Sequence, residues 1–106
     1  MNATLAAVQA LIAAGDVEVS LHGDEELAAE NISLRALLDG VQSAVVVEDY
    51  PTFAKGPCVL VLQSDAARPV HVLWGLRKNT TRPAVLITAY LPDPARWTPD
   101  FLKRRA

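Results

Sequence analysis

The sequence predicts an α+β fold: two or three N-terminal helices packed on one face of a four-stranded antiparallel sheet, then a short C-terminal helix or turn. Three observations carry this expectation. Helical periodicity and capping residues stop near Gly40. Four short runs dense in Val, Leu, Ile and aromatic residues follow. The connections between those runs are brief and rich in Pro and Gly. Helices first and strands second argue for segregated layers, and short connections argue for hairpins.

In residues 2–14, Leu5, Val8, Leu11 and Ile12 form an apolar stripe at helical spacing, with Gly15 placed to end it. A second helix is expected over residues 21–30, with Ser20 as N-cap. Ser33 caps a short third helix, Leu34 to Asp39, closed by Gly40. The strand runs are Ala44 to Tyr50, Cys58 to Ser64, Val70 to Leu76 and Val85 to Leu91. Pro51, Gly56-Pro57, Asp65 to Pro69 and Asn79 to Pro83 punctuate them. Pro92 to Arg105, with Trp97 and Phe101, should cover a sheet end.

The chain has 106 residues, 51% of them hydrophobic, and a net charge of −2, which fits one domain spanning 1–106. A chain of this size buries roughly 60–70% of its unfolded surface and needs no staple. Cys58 is the only cysteine, so internal disulfides and zinc sites built on paired cysteines are excluded. The N-terminal segment lacks a basic start, and no run approaches the roughly 18 apolar residues of a membrane span, so a cytoplasmic protein without a membrane partner is expected. No cofactor motif is present: no phosphate-cradling loop, no dinucleotide fingerprint, no zinc-protease motif. Residues 1–34 hold six acids and no base; the rest hold six acids and all ten bases. Such a split lets only the C-terminal part face a polyanion.

If the hairpins pair symmetrically about their turns, one apolar face collects Val46, Cys58, Leu60, Leu62, Val70, Val72, Trp74, Val85, Ile87 and Ala89, under the helices. The other collects Val45, Val47, Asp49, Val59, Val61, Gln63, His71, Leu73, Leu86, Thr88 and Tyr90. His71 would lie opposite Tyr90 and Gln63; histidine being the side chain whose ordinary pKa is near neutrality, it reads either as a general acid or base or as a half-buried strand histidine. His22 opens the second helix before Asp24, Glu25 and Glu26 and reads as a helix-start residue or a proton-transfer group. The two histidines with nearby acids make no specific metal site.

The motifs Ser20-Leu21-His22, Glu48-Asp49-Tyr50-Pro51, Gly56-Pro57, Arg68-Pro69-Val70-His71-Val72 and Ile87-Thr88-Ala89-Tyr90-Leu91-Pro92-Asp93-Pro94, followed by Trp97 and Asp100-Phe101, stand in a specific order. Over about residues 18–105 the chain resembles the domain-of-unknown-function family numbered 4258. The resemblance implies a small RelE/barnase-like, toxin-type bacterial domain that cleaves RNA without a metal. RNA and an antitoxin-type protein are the implied partners, and an exposed outer strand would allow a homodimer. By position, His22, His71 and Tyr90 become the candidate catalytic residues. Arg68, Arg77 and Arg82 are candidates to hold phosphate, with Asp49, Gln63 and Thr88 in support. The family pattern places arginines where this chain has Glu26 and Glu30, and a glycine where it has Asn31. A carboxylate repels phosphate where a guanidinium would clamp it. Three functions therefore stand side by side: RNA cleavage, RNA or partner binding without catalysis, and a protein-interaction domain.

Overall fold

The computed structural model describes residues 2–106. Three helices, α1 (Ala3–Ala13), α2 (Leu21–Ala29) and α3 (Leu34–Gly40), accompany five strands: β1 (Val17–Val19), β2 (Val45–Tyr50), β3 (Cys58–Asp65), β4 (Arg68–Leu76) and β5 (Ala84–Tyr90). The sheet runs β1-β5-β4-β3-β2. β1 is parallel to β5, and every other pairing is antiparallel. The α+β class and the helix-first order agree with expectation. The mixed sheet does not: Val17-Glu18-Val19 is too short to announce itself as a strand by alternation.

Each helix starts on the residue type that its sequence offers. Asn2 Oδ1, Ser20 Oγ and Ser33 Oγ accept from the backbone N–H groups of Leu5, Gly23 and Ala36 at 2.8, 2.9 and 3.1 Å. α1 and α2 end in the same way. In α2 the Ile32 N–H donates to the Leu27 carbonyl at 2.9 Å, with Asn31 left-handed at φ 52°. In α1 the Asp16 N–H donates to the Leu11 carbonyl at 2.9 Å, with Gly15 at φ 77°. Asparagine tolerates this conformation better than most residues, so the position expected to carry glycine accepts Asn31. Gly40 is not a stop: at φ −93° it passes the chain into a 3₁₀ turn, Val41–Ser43.

The core lies between the helices and one sheet face. Leu5 and Val8 of α1, Leu27 of α2 and Leu37 of α3 meet Val59, Val61, Val70, Val72, Trp74 and Leu86 there. At Gly23 a Cβ would stand 2.9 Å from the Leu86 carbonyl oxygen, so the close approach of α2 to β5 requires glycine.

The face assignment needs correction. Ala66 and Ala67 both have positive φ, 50° and 68°, and form a two-residue turn that pairs Asp65 with Arg68. This shifts β3 by one residue from the symmetric expectation. Val59, Val61 and Gln63 therefore point to the helices, and Cys58, Leu60 and Leu62 to the open face. A bulge at Val47 puts Asp49 in register with Val59, on the side away from His71. A second bulge, at Ile87, puts Leu86 and Ala89 under the helices while His71 and Tyr90 remain paired. The tail forms turns, not a helix, with one bridge between Trp97 and Arg104.

Gln63, expected among open-face polar groups, is instead buried in the core. Its Oε1 accepts from Trp74 Nε1 at 2.8 Å, and its Nε2 donates to the Leu37 carbonyl at 2.8 Å. A Gln63→Leu variant keeps the volume but strands both buried partners, and should lose about 3 kcal/mol of stability, read from urea unfolding.

Candidate functional site

The open face is divided. Its lower half, around His71 and Tyr90, is covered by the C-terminal tail; its upper half is a groove.

His71 is fully buried. The Phe101 carbonyl, 2.8 Å from Nε2, can only accept, so Nε2 carries the proton. Nδ1 then accepts from the Tyr90 hydroxyl at 3.1 Å. Trp97 meets the imidazole edge-on, with ring centroids 4.4 Å apart. Burial pushes the His71 pKa below its ordinary 6.5, against the opposing effect of the Phe101 carbonyl. Burial likewise raises the Tyr90 pKa. Both nitrogens are thus occupied, and the neutral form is favoured.

Arg104 holds the tail down. Its guanidinium lies 4.7 Å over the Trp97 ring and reaches both Glu48 oxygens at 2.8 and 3.0 Å. That pairing, helped by the Tyr50 hydroxyl, lowers the Glu48 pKa. Sequence reasoning gave Arg104 and Glu48 no joint role. Their separation along the chain hides the contact.

His22 stands apart from this enclosure, on α2, with its side chain 69% exposed and Nε2 3.3 Å from Glu26 Oε1. The same Glu26 oxygen accepts from the Thr88 hydroxyl and, at 3.1 Å, from the Ala89 N–H. β1 covers only Ala84 to Leu86 of β5, so the rest of that edge is closed by α2: Ser20 Oγ donates to the Ile87 carbonyl at 2.8 Å, and Glu26 takes Ala89. Glu26 and Thr88 are therefore bound into an edge cap.

The proposed phosphate clamps are all engaged. Arg68 pairs with Asp65 at 2.9 Å and donates to the Glu30 and Asn31 carbonyls at 3.2 and 2.7 Å, capping α2. The Ser33 N–H and Arg68 together lower the Asp65 pKa. Arg77 pairs with Glu18, and Arg82 with Asp16 at 2.7 Å. Asp49 is exposed and stands away from the His71–Tyr90 pair.

The groove lies beside β4 and β5, under the 51–57 connection. It encloses about 470 Å³, with Phe53, Leu76, Val85 and Ile87 in its wall and Lys55 and Arg77 at its rim. A smaller apolar hollow of about 280 Å³ adjoins it through Phe53 and Ile87 and reaches Tyr50, Leu73 and Cys58. Burial raises the Cys58 pKa, which keeps the thiol protonated and unreactive. Phe53 is 54% exposed. Sequence reading missed this groove because its walls come from three strands, β1, β4 and β5, and a loop. Among the described residues no group of three or more His, Cys, Asp and Glu side chains gathers to hold a metal, and no helix is long and apolar enough to cross a membrane.

No curated protein and no solved structure matches the chain. One family model does, over residues 19–91, which takes in α2, α3 and the whole sheet except its first two positions. The chain belongs to the family described as Domain of unknown function (DUF4258).

Proposed function

We propose that this chain is a partner-binding module on a toxin-like frame: it does not cleave RNA, and it receives an apolar segment of another protein in the groove beneath Phe53. The observation that carries the reading is the enclosure of His71. Its two nitrogens are spent on Tyr90 and on the Phe101 carbonyl, so it holds the tail in place and offers nothing to a substrate. The three arginines proposed as clamps are tied to carboxylates, which weakens any backbone contact to RNA. The groove, by contrast, presents Phe53, Val85 and Ile87, apolar side chains that remain partly solvated.

A second reading, RNA cleavage, draws on one observation: the exposed His22 imidazole paired with Glu26 beside Thr88. A histidine so placed can accept a proton from a ribose hydroxyl. The two readings part in one assay. Purified protein incubated with mixed RNA in EDTA should leave it intact, and His22→Ala should change nothing. Cleavage that His22→Ala abolishes, in a variant that stays folded, overturns the binding reading in favour of catalysis.

The groove is tested separately. Panning a random peptide library should enrich sequences with aliphatic and aromatic residues, and Ile87→Glu should remove their binding at unchanged secondary structure. Failure to enrich, or enrichment that survives Ile87→Glu, counts against this site.

A structural role for His71 also has a pH signature. Its folded pKa lies below the ordinary 6.5, so between those two values the unfolded chain binds more protons. Stability must then fall as pH drops below about 6.5. The urea midpoint should decline on going from pH 7.5 toward 5.5, in a window above the one where carboxylates titrate, and His71→Asn should flatten that decline. An equal slope in both proteins refutes the assignment.

A further inference from the structure

The 51–57 connection that overhangs the groove is fixed by a close backbone approach. Gly56 has φ 124°, and a Cβ there would stand 2.0 Å from the Leu76 carbonyl oxygen and 2.9 Å from the Lys78 nitrogen. Only glycine allows that contact. It sets Lys55, the neighbour of Gly56, beside the end of β4, where Arg77 and Lys78 follow. Three basic residues thus gather at one end of an apolar groove whose rim holds one carboxylate, Glu18. Arg77 pairs with Glu18. Lys55 and Lys78 are exposed, and among the described residues neither is paired with a carboxylate. Three bases against one acid leave an excess of two positive charges here, in a chain whose net charge is −2.

We infer that, in a groove that docks a protein segment, the segment is an acidic one: apolar residues fill the two hollows, and an Asp or Glu beside them meets Lys55 and Lys78. The occupant's chemistry follows from the site. The larger hollow is walled by Phe53, Leu76, Val85 and Ile87, and the smaller one shares Phe53 and Ile87 with it, so each takes an apolar anchor. A neutral or basic segment of the same shape leaves both lysines unanswered, whereas an acidic one meets opposite charge. Glu18 does not oppose it, because the Arg77 guanidinium already neutralises that carboxylate. Both lysines are solvated, so they contribute to steering and partner choice more than to the strength of the contact. An RNA backbone would meet the same lysines but leave the aliphatic wall unfilled, which favours a protein segment.

A random peptide library panned on the full chain tests this. The enriched peptides should carry an Asp or Glu next to their apolar residues. A synthetic copy of the most enriched one should bind Lys55→Glu about tenfold more weakly than the parent, read by fluorescence anisotropy. Lys55 is exposed, so the variant should fold. Lys103→Glu makes the same change in net charge on the tail, away from the groove, and should bind like the parent. Enriched peptides that lack acidic residues, yet are released by Ile87→Glu, overturn this inference and leave the groove reading standing. Acidic peptides that are released by Ile87→Glu but bind Lys55→Glu as tightly as the parent do the same. Failure to enrich any peptide overturns both. Mixed RNA that displaces the synthetic peptide from the parent, and is itself not retained by Lys55→Glu, assigns the lysines to nucleic acid and overturns the acidic segment.

Discussion

The register between β3 and β4 decides which polar groups meet in this molecule. It is set by the Ala66-Ala67 turn, whose two left-handed residues make Asp65 and Arg68 the last paired positions. With that register, Gln63 and His71 fall on opposite faces of the sheet. Gln63 enters the core, where it ties Trp74 of β4 to the carbonyl of Leu37 in α3. His71 faces outward and ties Tyr90 of β5 to the tail. The same turn places Asp65 where the Ser33 N–H and Arg68 reach it, and Arg68 where it caps α2. A slip of one residue would exchange the faces and leave each of these polar groups without its partner.

The tail converts an open sheet face into two regions with different properties. Trp97 and the Phe101 carbonyl seal His71, and Arg104 carries the seal across to Glu48 on β2. Beyond that lid the sheet remains uncovered, and the apolar groove begins at Leu73 and Ile87. The buried imidazole and the partly solvated groove are therefore products of one feature, the length of sheet that the tail covers. A histidine with one nitrogen donating and the other accepting is well suited to this work, because it bridges two unlike partners without carrying charge.

Much of the fold was legible in the residues. Ser20 and Ser33 marked helix starts, Gly15 a helix end, and four runs of β-formers their strands, because each signal acts within a few residues of itself. The pairing of His71 with Tyr90 was also legible, from the spacing of two strands around their loop. The β3 face was not. An Asn-Gly pair would have announced a two-residue turn, whereas Ala-Ala has no preference for the positive φ that both residues adopt. The bulges at Val47 and Ile87 were equally silent. Of the site, the residue types were visible but not their engagements. Arg68, Arg77 and Arg82 read as available cations until their carboxylates, distant in sequence or across a turn, are placed beside them.

Glu26 shows why a charge cannot be interpreted without its neighbours. Judged against a phosphate, a carboxylate at this position repels: at about 4 Å and an effective dielectric of 20, two unit charges interact by roughly 4 kcal/mol. Judged against the β5 edge, it is the acceptor that the Ala89 N–H and the Thr88 hydroxyl require where β1 has ended. A guanidinium only donates: it could reach the Thr88 oxygen, but it could not accept from the Ala89 N–H. The residue at this position must therefore serve the strand edge or an anionic ligand, since one side chain cannot accept from β5 and donate to phosphate. In this chain Glu26 serves the edge. That choice binds α2 to the sheet and leaves His22, its neighbour one turn earlier, facing a carboxylate instead of a cation.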